Sequence, residues 1–157
     1  MFGRTTDTKY EFETLNADCK LSQDFIEKFD EFKKSKKLNS AMILKINPKK
    51  KTLDVEQCLE DVTVEDIANS LGLWPRFILY QYKWEHVNEK APCITTRFSI
   101  PIVMIFYIPQ TGKIQLNILY TSTKTPLINF VGTSKVYDIT NTESMTTNWL
   151  NSNLMKL

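Results

Sequence analysis

One histidine, His86, occurs in 157 residues. A metal site built on several imidazoles is therefore excluded, and general-base chemistry has a single imidazole candidate. Glycine is also scarce, with four residues. None of them completes a P-loop, a G-x-G-x-x-G turn or a G-x-S-x-G elbow. The three cysteines, Cys19, Cys58 and Cys93, are an odd number at irregular spacing with no C-x-x-C pair. Neither a disulfide framework nor a zinc site is expected from them. A Cys–His nucleophile would need His86 beside Cys58 or Cys93, and an exposed turn histidine is the simpler reading. The longest apolar run, Ile100 to Ile108, is broken by Pro101 and is far too short to span a bilayer. Charge of one sign is not in excess either: 20 Lys and Arg against 18 Asp and Glu give a net charge of +2. No polyanion footprint follows, so nucleic acid is not an expected partner. Met1 to Lys20 has no apolar h-region and is not expected to be a secretory signal. The acidic residues Glu56, Glu60, Asp61, Glu65 and Asp66 are scattered and read as a solvated helix entry, not as a catalytic pair in an apolar cleft. These absences point to a protein that is not an enzyme and needs no cofactor or metal. They place it in a reducing, soluble compartment, the cytoplasm, with the nucleus also open.

What is present describes an ordinary globular chain. Hydrophobic residues make up 42% and charged residues 24%, and the length suffices for a core without staples. Met1 to Asp18 has few large apolar residues and is expected to be an N-terminal arm. Residues 19–157 are expected to form a single domain, with no repeat or linker inside it. Ser22 is placed to cap a helix whose buried face is Phe25, Phe29 and Phe32, with acidic residues early and Lys33, Lys34, Lys36 and Lys37 late, as the helix dipole favours. The lysines suit either contact with an acidic partner or a solvated helix end. Ala41 to Ile46 is a strand candidate, and Asn47-Pro48 with Lys49 to Lys51 is a turn. A weaker strand follows through Leu53, Val55 and Leu59. Thr63 and Asp66 form a capping box for a helix carrying Val64, Ile67, Ala68 and Leu71, which Gly72 is expected to stop.

Arg76 to Val87 alternates like one strong strand. Ile102 to Ile108 is apolar throughout, as in a strand covered on both faces, with Pro101 at its start. Lys113 to Tyr120 is ambiguous. Ile114, Leu116, Ile118 and Tyr120 alternate like a strand, while Ile114, Ile118 and Leu119 also fit a helix face; pattern alone favours the strand. Leu127, Ile128 and Val131 suggest a short helix ended by Gly132. Val136, Tyr137 and Ile139 suggest a last strand, and Met145, Trp149, Leu150, Leu154 and Leu157 a C-terminal helix. An α/β (α+β) fold, one sheet with helices on both faces, would bury these stripes.

Five segments then stand in one order. They are Asn39-Ser-Ala-Met-Ile-Leu-Lys-Ile46 and Pro75-Arg-Phe-Ile-Leu-Tyr-Gln-Tyr-Lys83, then Ile100-Pro101 through Phe106. Next comes Leu119-Tyr120 with Lys124, Leu127 and Thr133-Ser-Lys-Val-Tyr-Asp-Ile139, and last Asn141-Thr-Glu143 with Trp149-Leu150. Together they resemble the glia maturation factor family of the actin-depolymerising-factor homology superfamily, from about Leu21 to Leu154; a fungal-type member is expected.

The resemblance implies a central mixed sheet between helices, with the ambiguous segment in a long, kinked helix. Pro126 departs from the family. The expectation is that the helix restarts near Ser122 or Thr123, so that Pro126 falls in a first turn.

The resemblance also implies a regulator at cortical actin structures; a monomer is expected. Such a protein binds the actin-related protein 2/3 complex, and actin filaments weakly or not at all, suppresses branch nucleation and releases branches; actin is the other partner open. No membrane is implied as a partner. The contacting helix face implied is Gln115, Asn117, Ile118, Thr121, Ser122, Thr123 and Lys124, flanked by Asn141 and Glu143. Core packing is the competing role for Ile118, with even weight. Lys33, Lys34 and Lys36 match basic positions of the family, whereas Asp30 and Glu31 stand where it often has basic residues. A second reading comes from the hairpin between His86 and Pro101, which is longer than in the family. Lys83, Lys90 and Arg97 there would grip filaments as in cofilins, or the hairpin is a tolerated surface insertion.

Overall fold

The computed structural model describes residues 19–88, 95–110 and 114–155, with the side chains of 86–88 and 95–97 outside the description. The expected arm over 1–18, together with Lys90, Cys93 and Leu157, lies outside the described residues.

The chain enters through a two-residue strand, β1 (Lys20–Leu21), and turns at once into helix α1 (Gln23–Ser35). Ser22 is extended and its Oγ accepts the Phe25 N–H at 3.0 Å, as the sequence indicates. Lys36, in the left-handed region at φ 50°, ends the helix. Strands β2 (Ser40–Asn47) and β3 (Thr52–Leu59) form a hairpin. In its turn the Asn47 side-chain carbonyl accepts the N–H groups of Lys49 and Lys50.

Helix α2 (Val64–Ser70) opens on the expected capping box: Thr63 Oγ1 accepts the Asp66 N–H and Asp66 accepts the Thr63 N–H. Its end differs from expectation. The helix stops before Gly72, because Leu71 is already extended (φ −86°, ψ 142°). No left-handed residue is needed there, so glycine's conformational freedom is not what stops the helix.

The single strand expected over Arg76 to Val87 is two. Strand β4 (Arg76–Gln81) lies deep in the main sheet, and β5 (Trp84–Asn88) leaves it to pair with β6 (Thr95–Ser99) as a separate ribbon. The alternation ran on because both halves carry aromatics, but the sheet's partners end at Gln81, opposite Ser40 and Ile102. Strand β7 (Ile102–Tyr107) follows Pro101 directly. Helix α3 (Ile114–Val131), strand β8 (Val136–Ile139) and helix α4 (Thr147–Met155) complete the order.

The six-stranded sheet has the order β1-β3-β2-β4-β7-β8, parallel at its two outer pairings and antiparallel between. Side chains alternate across it, so each face has its own core. Phe77, Leu79, Met42, Leu44 and Met104 meet α1 and α3 on one face. Ile78, Tyr80, Ile43, Val103 and Ile105 meet α2 and α4 on the other. The expected arrangement of a mixed sheet flanked by helices on both faces is the one found.

Helices α2 and α4 are fastened by one carboxylate. Glu65 accepts both the Thr147 N–H (2.8 Å) and the Thr147 hydroxyl (2.7 Å). These bonds hold the Glu65 carboxyl below its ordinary 4.5. A depressed carboxyl stabilises the fold above its unfolded pKa, and that contribution is lost as pH falls through the folded value. Acidification below about 4.5 should therefore weaken this tie between α2 and α4 in the parent. Glu65→Gln should flatten this part of the stability–pH curve, read by urea midpoints between pH 3 and 6. An unchanged curve would remove Glu65 from this role.

Candidate functional surface

Helix α3 crosses between the parallel strands β7 and β8, as a β-α-β connection requires. It starts at the Tyr107 end of the sheet and finishes near Ile102, where the Thr133 hydroxyl donates to the Ile102 carbonyl at 2.6 Å. The strand-like alternation of 114–120 was misleading. The inward positions are Leu116, Tyr120, Thr123 and Leu127, at helical spacing. Tyr120 anchors the helix: its hydroxyl oxygen accepts the Ile46 N–H at 2.9 Å, and burial raises its pKa.

The helix is also continuous where a restart was expected. Pro126 lies in its fourth turn, not in a first turn. Neighbouring elements hold the helix across the proline, with Leu127 fully buried one residue later.

The outward row of α3 reads Ile114, Ile118, Ser122 and Pro126, each four residues from the last, so they align along one side of the helix. Ile114 is 70% exposed and Ile118 53%. Ile118 is thus on the surface and not in the core. Gln115 and Thr121 flank the row and are exposed. A shallow depression of about 360 Å³ is lined by Ile114, Asn117, Ile118, Thr121 and Ser122. Thr123 is a correction: it is 2% exposed, and its hydroxyl donates to the Leu119 carbonyl at 2.8 Å, so its side chain offers nothing to a partner. Lys124 is half-buried, ion-paired with Asp138 (2.8 Å) and set over the Phe106 ring.

Asn117 Oδ1 is buried and has no hydrogen-bond partner among the described residues. A buried acceptor left without a donor costs about 1–3 kcal/mol. Asn117→Leu should therefore raise stability by about 1 kcal/mol or more. A urea midpoint no higher than the parent's would show that water already satisfies this atom.

Asn141 and Glu143 leave β8 at the end where α3 begins, since Ile139 pairs with Tyr107. Both are exposed, and Asn141 Oδ1 accepts the Ser144 N–H at 2.8 Å, closing the turn between them. The lysines lie elsewhere. The end of α1 is fixed at the opposite end of the strands by Gln81, whose Nε2 donates to the Phe32 carbonyl at 2.8 Å. Lys33 and Lys36 line a depression there with Phe98, and Lys83 sits over the Phe98 ring at 5.1 Å. Lys34 is ion-paired with Asp30. Arg97 is opposite His86 in the β5–β6 ladder.

The expected contacts therefore divide into two surfaces. One is the start of α3 with Asn141 and Glu143. The other joins Lys33, Lys36 and the hairpin's Lys83, which sequence reasoning had assigned to different partners. That reasoning missed Ile114 and Phe98. Ile114 was legible as the residue one turn before Ile118; Phe98 had no such signal. Among the described residues no group of three His, Cys, Asp or Glu side chains could hold a metal ion, and no helix is long and apolar enough to cross a membrane.

Residues 18–155 match the family described as cofilin/tropomyosin-type actin-binding protein. The glia maturation factor of Drosophila melanogaster is 33% identical over 88% of this chain and 97% of its own. The chain belongs to the glia maturation factor family. Human glia maturation factor beta is 31% identical over 87% of this chain and 92% of its own. The solution structure of the Caenorhabditis elegans glia maturation factor superposes with a TM-score of 0.72 at 29% identity, covering 85% of this chain and 94% of that one. The Caenorhabditis elegans actin-depolymerising-factor-like protein UNC-60A shares the fold alone, with a TM-score of 0.67 at 16% identity over 87% of this chain and 93% of its own. The family is one of non-enzymatic actin regulators, in keeping with a sequence that has no catalytic constellation.

Proposed function

We propose that this glia maturation factor acts as a monomeric, cytoplasmic, single-domain binder of the actin-related protein 2/3 complex at cortical actin structures. It suppresses new branches and releases existing ones. The observation that carries the reading is the exposed Ile114–Ile118 row on α3, beside Asn141 and Glu143. An apolar helix row of this kind docks into a groove through residues at i and i+4. No covalent step is needed, because a ligand that binds the detached or inactive state of a complex more tightly shifts the complex toward it. In pulldowns, the complex should be retained by the parent and lost with Ile118→Asp. Retention by both would remove α3 from the interface.

A second reading has its own support. The ladder of β5 and β6 projects from the opposite end of the sheet, with Lys83 over an exposed Phe98. A cofilin-like grip on bare filaments would use that end. Cosedimentation with unbranched filaments separates the readings: binding that Lys83→Glu abolishes favours the grip, and no pelleting above background rejects it.

A further inference from the structure

We propose that Pro126 determines specificity on α3. It removes the helical i+4 donor of the Ser122 carbonyl on the docking row, so that this oxygen can accept a hydrogen bond from an N–H donor in the partner's groove. The inference rests on the reading of α3 given above and adds an acceptor and the chemistry that meets it.

In an unbroken helix each carbonyl accepts the N–H four residues on. Helix α3 runs without a break from Ile114 to Val131 with Pro126 inside it. Proline has no N–H, so position 126 offers nothing to the carbonyl of Ser122. The hydroxyls of Ser122 and Thr123 serve a different carbonyl. Ser122 Oγ and Thr123 Oγ1 both donate to the Leu119 carbonyl, at 2.9 and 2.8 Å. Back-bonding of this kind also slightly destabilises a helix.

Position gives the Ser122 carbonyl its use. Ser122 lines the depression with Ile114 and Ile118, and Pro126 beyond it is exposed. The carbonyl lies about 6 Å along the helix axis from Ile118. A groove in the actin-related protein 2/3 complex that buries the two isoleucines also strips water from this oxygen. A stripped acceptor must be given a donor, so a purely apolar groove is rejected and one with a backbone amide or cationic side chain at that depth is selected. Proline inside a helix opposes helix stability.

Pro126→Ala restores the missing N–H. It should raise the melting temperature and weaken binding to purified actin-related protein 2/3 complex about ten-fold. Opposite signs are the signature, since a residue needed only for folding would move both the same way. N-methylalanine at 126 lacks the N–H but also the ring, and should bind like the parent. Equal or tighter binding by Pro126→Ala overturns the inference, and so does equal weakening by Pro126→Ala and N-methylalanine. Ile118→Asp in the same assay tests the underlying reading: if it binds like the parent, α3 is not the contact at all.

Discussion

Ile118→Asp should lower affinity for the actin-related protein 2/3 complex by a hundred-fold or more, while the urea midpoint stays at the parent's value. Ile118 is 53% exposed, so the substitution removes little from the fold. Surface changes of this kind shift stability by no more than about 0.5 kcal/mol. At an interface the same change deletes an apolar anchor and places an unpaired carboxylate in the groove. Truncating an anchor of this sort costs about 2–4 kcal/mol, and burying the charge adds to it. Gln115→Ala, beside the row, should stay within about three-fold of the parent, as rim residues do. If both variants bound equally, the Ile114–Ile118 row would be ordinary surface.

The largest loss of stability is expected at Phe77→Ala. Phe77 is fully buried, stacked on Phe106 at 4.8 Å and packed against Tyr120 of α3 at 5.6 Å. Removing an aromatic ring from such a site leaves a cavity and costs about 3–5 kcal/mol. A domain holds about 5–15 kcal/mol in total, so the variant should be marginal at 37 °C. Because Phe77 also seats Tyr120, local opening of α3 should rise with global unfolding. Hydrogen exchange should show faster exchange at 116–127 than at 64–70, measured under conditions where the variant is still folded. A fall of less than about 1 kcal/mol would mean that neighbouring side chains close the cavity.

The sequence made the two capped helices and the doubly covered strand β7 legible, because each has a local cause: Ser22 and Thr63 as caps, and an unbroken apolar run after Pro101. It was silent where the cause is long-range. Nothing local ends β4 at Gln81; the strand ends because its partners do, at Ser40 and Ile102. The alternation of 114–120 mimicked a strand because the exposed Ile114 and Ile118 are apolar. A surface apolar row inverts the pattern that burial normally writes, and the family resemblance was needed to read it correctly. Thr123 was misplaced for the converse reason. It is a polar residue in a core, made tolerable by a hydrogen bond within its own helix. Pro126 signalled a helix break that packing on both sides of it overrides. The joining of Lys33, Lys36 and Lys83 around Phe98 depends on where α1 ends over the sheet, which no local pattern encodes.

The most direct test is to watch labelled branched actin filaments while the purified protein is added. The account predicts that daughter filaments detach at their bases while mother filaments stay whole, and that Ile118→Asp does not release them. Branches that persist at saturating protein, or cuts along unbranched filaments with the bases intact, would contradict it.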